Sequence, residues 1–263
     1  MAKINIYNEK EIDILREGGR ILYTILQTLK NETVENVSTK DLDKRAYGLC
    51  IENEASPAFL NYTPGGASRP FPGSICISVN HEVVHGIPNE KPKVLKKGDV
   101  VTLDMGLKYK NMFTDSAVTL VVGGGEYNNI GQEMIDVATR ALNNAIDILK
   151  PGVRTGDIGQ AVEDVVKKNK GHKFKIPTIL GGHGIGHGIH EDPFVPNFGK
   201  VGEGVVLKEG NVIAIEPILT QNSTAMNVLS DGYTFVTQDK GLAVHVEHTV
   251  VITKDGCEII TIV

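Results

Sequence analysis

Four stretches of the chain place apolar residues three and four positions apart, which is the spacing of an amphipathic helix. In the first stretch Ile12 and Leu15 share a face, and Asn8 with Glu11 before them forms the pattern of a capping box. Proline or glycine follows the last two stretches, where helices commonly end. The predicted helices cover about 9–30, 38–54, 128–149 and 155–170.

Shorter runs rich in β-branched residues predict the strands. The runs at 99–107 and 112–122 flank the polar segment KYKN, which is typical of a β-hairpin. Proline and glycine are frequent in two other segments, which are predicted to be mostly irregular and cover 55–74 and 172–205. The remaining strands are predicted over about 75–80, 211–219, 232–237 and 246–253.

Two short segments of the first half recur, in the same order, in the second half. VSTKDL at 37–42 is matched by VRTGDI at 153–158, and LKKGDV at 95–100 is matched by LKEGNV at 207–212. Chance similarity between surface turns is the alternative, but the common order and the similar offsets of 116 and 112 residues favour an internal duplication. We expect one α+β domain over 1–263, with pseudo-repeats at roughly 8–122 and 128–253.

Composition excludes several classes of protein. The 263 residues are 41% hydrophobic and 22% charged, as in ordinary globular proteins, and the net charge of −5 argues against direct binding to nucleic acid. The sequence contains no apolar run near the ~18 residues that a membrane helix needs. The three cysteines are odd in number and far apart, which is typical of reduced thiols and predicts a cytoplasmic protein.

Four acidic residues lie within the apolar strand patterns. When the alignment of the second pair of repeated segments is extended, Asp104 aligns with Glu216, and Asp115 has a counterpart in Glu247. Acidic side chains are rarely buried unless they are paired or bind a metal ion. Exposure on a solvent-facing strand is the alternative for any one acid, but matching apolar contexts for all four favour burial.

The hairpin indicates why these acids would need a cation. If Tyr109 and Lys110 form its turn, Asp104 lies directly opposite Asp115 on one face of the sheet. Two carboxylates at that separation repel each other, and a divalent cation between them removes the conflict. The pseudo-two-fold would bring Glu216 and Glu247 to the same place, so the sequence predicts a site for two metal ions.

Five of the eight histidines fall in two groups, and the second group lies in the segment GGHGIGHGIHE at 181–191. This segment is too rich in glycine for the helical zinc motif HExxH and does not match the dinucleotide motif GxGxxG. Glycines next to histidine indicate close approach of the backbone to a ligand. The first group is His81 and His85, and the second is His183, His187 and His190. Outside these groups, we expect His172 and His245 to lie on the surface.

The combined pattern resembles the type I methionine aminopeptidases over nearly the whole chain. Its motifs are Ser78-Val79-Asn80 before His85-Gly86-Ile87-Pro88, Asp104 and Asp115 eleven residues apart, Gly182-His183-Gly184-Ile185-Gly186, His190-Glu191, Ile215-Glu216-Pro217 and Glu247-His248-Thr249. About 25 residues separate His190 from Glu216, which leaves no room for the helical insertion of the type II enzymes. The resemblance implies the pita-bread fold, an α+β fold in which two pairs of helices cover a central antiparallel sheet with pseudo-two-fold symmetry.

The resemblance also implies roles for individual residues. It implies a site for two divalent ions, which would be Co, Mn, Fe(II) or Zn. The implied metal ligands are Asp104, Asp115, His183, Glu216 and Glu247. Catalysis is assigned to Glu216 as the proton carrier, with His85 and His190 facing the scissile amide. The substrate would contact these two histidines and a pocket for the methionine side chain formed by Tyr62, Phe71, Cys76 and Tyr233.

The expected reaction is removal of the initiator methionine from peptides and nascent chains with a small second residue. The ribosome is a further candidate partner, and we expect a monomer. The sequence departs from the family in a longer loop at 62–72, in Val84 where a cysteine is usual, and in Ile189 and Tyr233 where Phe and Trp are common. A proline-specific relative of the same fold, a catalytically inactive binding module and a structural one-metal protein are the alternatives.

Overall fold

A computed structural model describes residues 4–262, so the domain expectation for positions 1–3 and 263 lies outside the described residues. The described residues form four α-helices, close to the predicted bounds: α1 Glu9–Glu32, α2 Thr39–Glu52, α3 Asn129–Asp147 and α4 Thr155–Lys168. The helix α1 begins with the expected capping box, because Asn8 accepts from the backbone of Glu11 while the Glu11 side chain accepts from the backbone of Asn8. Within residues 4–262, none of the helices has the length and apolar character needed to span a bilayer.

The strands form one large sheet and two small ones, and all of the strand pairs among the described residues are antiparallel. The strands are β1 Ser56–Pro57, β2 Cys76–Val79, β3 Glu82–Val84, β4 Val100–Tyr109, β5 Met112–Val121, β6 Gly181–Gly184, β7 Glu191–Pro196, β8 Val212–Ile215, β9 Ile218–Thr220, β10 Met226–Val228, β11 Phe235–Thr237, β12 Ala243–His245, β13 Glu247–Ile252 and β14 Cys257–Ile259. The order along the large sheet is β1-β4-β5-β13-β8-β6-β7, with β2 added to β4 and β14 to β13.

The central hairpin has a different register from the predicted one. Its turn is formed by Lys110 and Asn111, with φ of 45° and 66°, so that Asp104 pairs with Ala117 and Asp115 pairs with Gly106. The predicted turn at 109–110 was wrong by one residue. Both turn residues must adopt left-handed backbone, which asparagine tolerates better than tyrosine does.

The helices and the acids lie on opposite faces of the sheet. The odd-numbered residues of β4, such as Leu103 and Met105, pack with Leu22 and Leu26 of α1 in one apolar core. A second core joins α3 and α4 to β8 and β13. Successive side chains of a strand point to opposite faces, so Asp104 faces away from the helices.

Matching contacts recur at the two repeated segments. The backbone of Leu95 donates to Val37 at 2.9 Å, and that of Leu207 donates to Val153 at 2.8 Å. In both halves a glycine with positive φ follows, Gly98 at 86° and Gly210 at 81°.

The segment 172–205 is mostly irregular, as predicted, but it also contains the strands β6 and β7, which were not predicted. β6 escapes pattern recognition because glycine takes the place of the usual β-branched residues. A Cβ atom on Gly182 would collide with the carbonyl oxygen of Ala214, and one on Gly184 with that of Asp192. Glycine is therefore what lets the backbone of β6 lie so close to its neighbours.

Candidate metal centre and pocket

Three of the predicted acids lie on one face of three adjacent strands. Asp104 of β4 and Glu247 of β13 both pair with Ala117 of β5, from its two sides. Asp115 is two residues before Ala117, so it projects from the same face. All three residues are buried: Asp104 is 7% exposed, Glu247 2% and Asp115 3%.

The fourth acid and the predicted histidine ligand complete the group. Glu216 follows the end of β8, and its Oε1 lies 3.7 Å from Nε2 of His183 on β6. The same Nε2 is 4.0 Å from Oδ2 of Asp115. The Nδ1 of His183 lies 2.9 Å from the carbonyl oxygen of Gly184. Donation of a proton from Nδ1 to that oxygen leaves the Nε2 lone pair facing the acids, as in metal-binding histidines.

Buried charge of one sign dominates this group. Burial raises the pKa of Asp104 to about 7, and burial together with the Asp104 charge raises that of Glu216 to about 8. The pKa values of Asp115 and Glu247 are also raised well above their usual range, by burial first and then by the neighbouring carboxylates. The nearby His183 is neutral, because burial lowers its pKa to about 3, and so it supplies no compensating charge.

The donor set fits divalent metal ions. Ligand atoms in three sets lie within 4.8 Å of one another: Asp104, Asp115 and Glu247; His183, Glu216 and Glu247; and Asp115, His183 and His190. The buried Oε1 of Glu247 has no hydrogen-bond partner in the structure. An oxygen-rich set with an imidazole is suited to Mn, Fe, Co or Zn, and cations would neutralise the mutual repulsion of the carboxylates.

Hydrogen bonds from neighbouring residues hold the backbone of these acids in place. The hydroxyl of Thr249 donates to the carbonyl of Asp115 at 2.7 Å and accepts from its amide at 2.9 Å. The hydroxyl of Ser116 donates to the carbonyl of Glu247, and the side-chain amide of Asn197 donates to the carbonyl of Glu216. The positions of the acids are therefore fixed before any cation binds.

The two histidines with predicted catalytic roles lie beside the acids. The His190 ring is 4.6 Å from that of His183, and its Nδ1 lies 3.1 Å from the hydroxyl of Tyr62. His85 directly follows β3 with φ of 59°, and burial lowers its pKa to about 4. Both rings line the same cavity as the acids.

The cavity that contains the acids extends over an apolar surface. Its volume is about 130 Å³, and all four residues of the predicted methionine pocket line it. Phe71 and Tyr233 meet edge to face at 5.2 Å. The sequence-based pocket omitted Phe59 and Pro64, which also line the cavity, because burial of a residue in a loop has no periodic signal. The predicted residues that line it are Tyr62, Phe71, Cys76 and Tyr233.

The remaining histidines are divided between surface and site. His172 is exposed as expected, and Glu133 pairs with it at 2.6 Å. The grouped His187 is exposed and bonds Glu11, so it does not contribute to the cavity. His245 was predicted to lie on the surface, but it is 3% exposed and lines the cavity. That prediction was wrong, and the signal was available: His245 precedes Glu247 by two residues, the same-face spacing of a strand.

Comparison with known proteins agrees with this geometry. The model of metallopeptidase family M24 matches residues 13–254. The chain belongs to this family. It is 40% identical over 260 residues to the methionine aminopeptidase of Aquifex aeolicus, with 98% of each chain covered. The crystal structure of the methionine aminopeptidase of Thermotoga maritima superposes with a TM-score of 0.91 at 35% identity, covering 98% of this chain and 99% of that one.

A solved structure with a different name is also similar. The prolidase of Pyrococcus furiosus superposes with a TM-score of 0.74 at 25% identity, and the match covers 98% of this chain but 65% of that one. The fold that these structures share with the chain is the predicted α+β pita-bread fold, with four helices and an antiparallel sheet. The family resemblance and the fold class are thus confirmed.

Hydrogen bonds tie the loop at 62–72 to the pocket wall. Arg69, within 62–72, forms a two-point salt bridge with Glu90 and also donates to the carbonyl of Asp231. The hydroxyl of Tyr233 donates to the carbonyl of Arg69. The loop therefore contributes to the shape of the pocket at its mouth.

Proposed function

We propose that this protein is a methionine aminopeptidase, which hydrolyses the bond after an amino-terminal methionine when the second residue is small. One observation supports this most strongly: a group of four acids and a histidine opens into an apolar cavity, in a chain that matches full-length methionine aminopeptidases. The whole chain is proposed to form one catalytic domain.

Five residues are proposed to hold two divalent ions. Asp104, Asp115 and Glu247 form one set of possible ligands, and His183, Glu216 and Glu247 form a second set that shares Glu247, so these five residues would hold the ions. The ions, Co, Mn, Fe(II) or Zn, would act as Lewis acids and make hydroxide available at neutral pH.

The side chains around the ions are proposed to move the protons. A carboxylate oxygen of Glu216 takes the proton of the attacking water and passes it to the leaving amine. The neutral rings of His85 and His190 face the same cavity and can donate hydrogen bonds to the oxyanion that forms at the scissile carbonyl. Tyr62 orients His190 through the contact between its hydroxyl and Nδ1.

The apolar part of the cavity is proposed to receive the methionine side chain. Phe71 and Tyr233 form one wall, and Cys76 pairs with Asp104 in the register of β2 and β4, so the pocket begins directly beside the metal site. This arrangement would place the first peptide bond of a bound peptide over the ions. His190 and Pro64 line the same cavity, and we propose that they restrict the second residue to a small side chain.

The proposed setting of the reaction follows from the substrate. Initiator methionine is removed from nascent chains, so we propose a cytoplasmic monomer that works near the ribosome. The cysteines Cys50, Cys76 and Cys257 are free, which is consistent with a reducing compartment.

The test begins with protein stripped by a chelator and reloaded with Mn, Fe(II), Co or Zn. Release of the first residue is measured with Met-Ala-Ser and Ala-Pro-Ala. Metal-dependent release from Met-Ala-Ser alone is expected, whereas cleavage of Ala-Pro-Ala alone would identify a proline-specific enzyme. No release from either peptide, despite bound metal, would indicate a binding module.

A further inference from the structure

His245 is a buried polar side chain for which the proposed mechanism has no role. It is 3% exposed, and neither ring nitrogen has a hydrogen bond of normal geometry in the structure. Its Nε2 nevertheless lies between two carboxylates, 3.4 Å from Oε2 of Glu216 and 3.6 Å from Oε2 of Glu247. A buried donor without a partner destabilises a fold, so a histidine retained here needs an explanation.

The backbone holds this ring where it is. His245 ends β12 and pairs with Ile218 of β9, two residues after Glu216, so the ring and Glu216 share a face of this small sheet. The hydroxyl of Thr119 contacts both the amide and the carbonyl of His245, which ties the strand to β5. The position of the ring is therefore set by three strands and does not depend on a cation.

The oxygens of the two carboxylates face different partners. Oε1 of Glu216 is the oxygen near His183, at 3.7 Å, while Oε2 is the oxygen near His245. Glu247 shows the same division, because its Oε2 faces His245 and its buried Oε1 has no partner. Each carboxylate thus presents one oxygen to His245 and keeps the other free for a metal ion.

His245 differs from a metal-binding histidine in its second nitrogen. Metal-binding histidines almost always donate their other N–H to a protein group, as Nδ1 of His183 does to Gly184. Nδ1 of His245 has no such partner. A neutral imidazole carries a proton on only one of its two nitrogens. Placing that proton on Nε2 gives it two carboxylate acceptors, whereas placing it on Nδ1 leaves it with none.

We propose that His245 is a positioning residue, which donates its Nε2 proton to the Oε2 atoms of Glu216 and Glu247 and so directs their Oε1 atoms to the metal ions. The role rests on the metal centre of the proposed function. The separations of 3.4 and 3.6 Å are a few tenths of an ångström longer than a normal hydrogen bond. Cations that relieve the repulsion among the carboxylates would allow this approach.

Two substitutions at this position separate donation from ligation. His245→Gln keeps a side-chain N–H donor, and His245→Leu keeps the volume without one. Metal affinity is measured by calorimetry with Mn(II) on the stripped protein. The Leu variant is expected to bind about 10–100-fold more weakly, the usual effect of losing a partner of a metal ligand, and the Gln variant within about threefold of the parent.

The matched control is His248→Gln. His248 is the next residue after Glu247, but it projects from the opposite face of β13 and bonds Thr261, so its replacement is expected to leave the affinity unchanged. Pulsed electron paramagnetic resonance of the Mn(II) protein then counts the coordinated imidazoles. The number is expected to be the same in the parent and in the Gln variant.

Three outcomes would overturn the proposal. A Gln variant as weak as the Leu variant, an imidazole count that falls in the Gln variant, or a Leu variant with parental affinity would each exclude positioning by donation. If the Leu variant does not fold, the affinity and imidazole count of the Gln variant still decide. Failure of the proposed function would be seen separately, as loaded parent protein that does not release methionine.

Discussion

The two halves of the chain share a turn and its contacts, yet they build their parts of the metal centre differently. In the first half β4 and β5 pair over ten residues each, and this one hairpin carries both Asp104 and Asp115. In the second half the strand that would match β4 ends at Ile215, and the chain continues as β9 only at Ile218. Glu216 lies in that interruption, beside a proline that cannot donate to a strand ladder.

The difference separates two tasks. A long regular hairpin keeps two carboxylates at a fixed separation, which an unbroken ladder of hydrogen bonds maintains. An interrupted strand leaves room for residues from other segments, and His183 and His245 reach the centre there. Among the five proposed metal ligands, the first half supplies carboxylates alone, while the second half also supplies the imidazole of His183.

The largest effect is expected from a substitution in the regular half. Asp115→Asn keeps the shape of the side chain but removes the charge of a proposed metal ligand, and should lower kcat/KM for Met-Ala-Ser by about a thousandfold or more. Loss of one of four repelling acids should leave the metal-free protein at least as stable as the parent. Activity, metal content and thermal unfolding check this, with exposed Asp136→Asn as the control. Normal activity in the Asp115 variant would exclude a two-metal centre of this design.

A smaller effect is expected at the pocket wall, which the two halves share. Tyr233→Ala removes an aromatic ring from the second-half side and should raise KM for methionyl peptides about tenfold, because less apolar surface of the substrate is buried. Phe71→Ala, from the first half, should act similarly. Tyr233→Phe loses only the bond to Arg69 and serves as the control. If KM stays the same in both alanine variants, the methionine side chain binds elsewhere.

In the metal-free protein, the buried acids of the two halves should make the stability of the fold depend on pH. The pKa values of Asp104, about 7, and of Glu216, about 8, lie above the ~4 of an unfolded chain. Between these values the folded state binds more protons at the acids than the unfolded state does, so stability is lost as pH rises. The buried histidines His85, His183 and His245 have lowered pKa values and act in the opposite sense, but only below the ~6.5 of a free imidazole, so the loss is expected from about pH 6.5 to 8. Calorimetry of stripped protein should show Tm falling by several degrees over this range.

Addition of a divalent metal ion should reverse this trend, because bound cations favour the ionised carboxylates. Metal-loaded protein should then gain stability over the metal-free protein as pH rises toward 8. If the Tm of the metal-free protein instead increases with pH over this range, these acids are not buried in protonated form.

The smallest expected effect is a loss of stability at one turn in each half, and it should be equal in the two halves. Gly98 and Gly210 have positive φ at equivalent turns, so Gly98→Ala and Gly210→Ala should each destabilise the protein by about 1–2 kcal/mol. Gly48→Ala in α2 is the control: nothing lies within 4 Å of the added Cβ, and alanine favours the helix. Chemical denaturation measures all three, and unequal losses at the two turns would show that the repeats are not equivalent.

Prediction from the sequence was successful where local pattern and chemistry agree. The spacing of apolar residues found all four helices within a few residues, and the acids within apolar strands led to the metal centre. It failed where a strand is short or rich in glycine, as in β3, β6 and β12, because such strands depend on partners distant in the chain. The hairpin register also failed, since a turn shifted by one residue changes every pairing.

The sequence by itself determined the fold class and the identity of the acids, and its resemblance to the methionine aminopeptidases indicated the aromatic residues of the proposed pocket. These follow from the order of residue types along the chain, which the chain carries whether or not it is folded. Only the tertiary structure decided that His245 is buried between Glu216 and Glu247 and that His187 is not in the site. The burial of a side chain and its distance from other side chains depend on several segments that folding brings together. Two histidines are chemically identical in the sequence and differ only in what surrounds them in the folded protein.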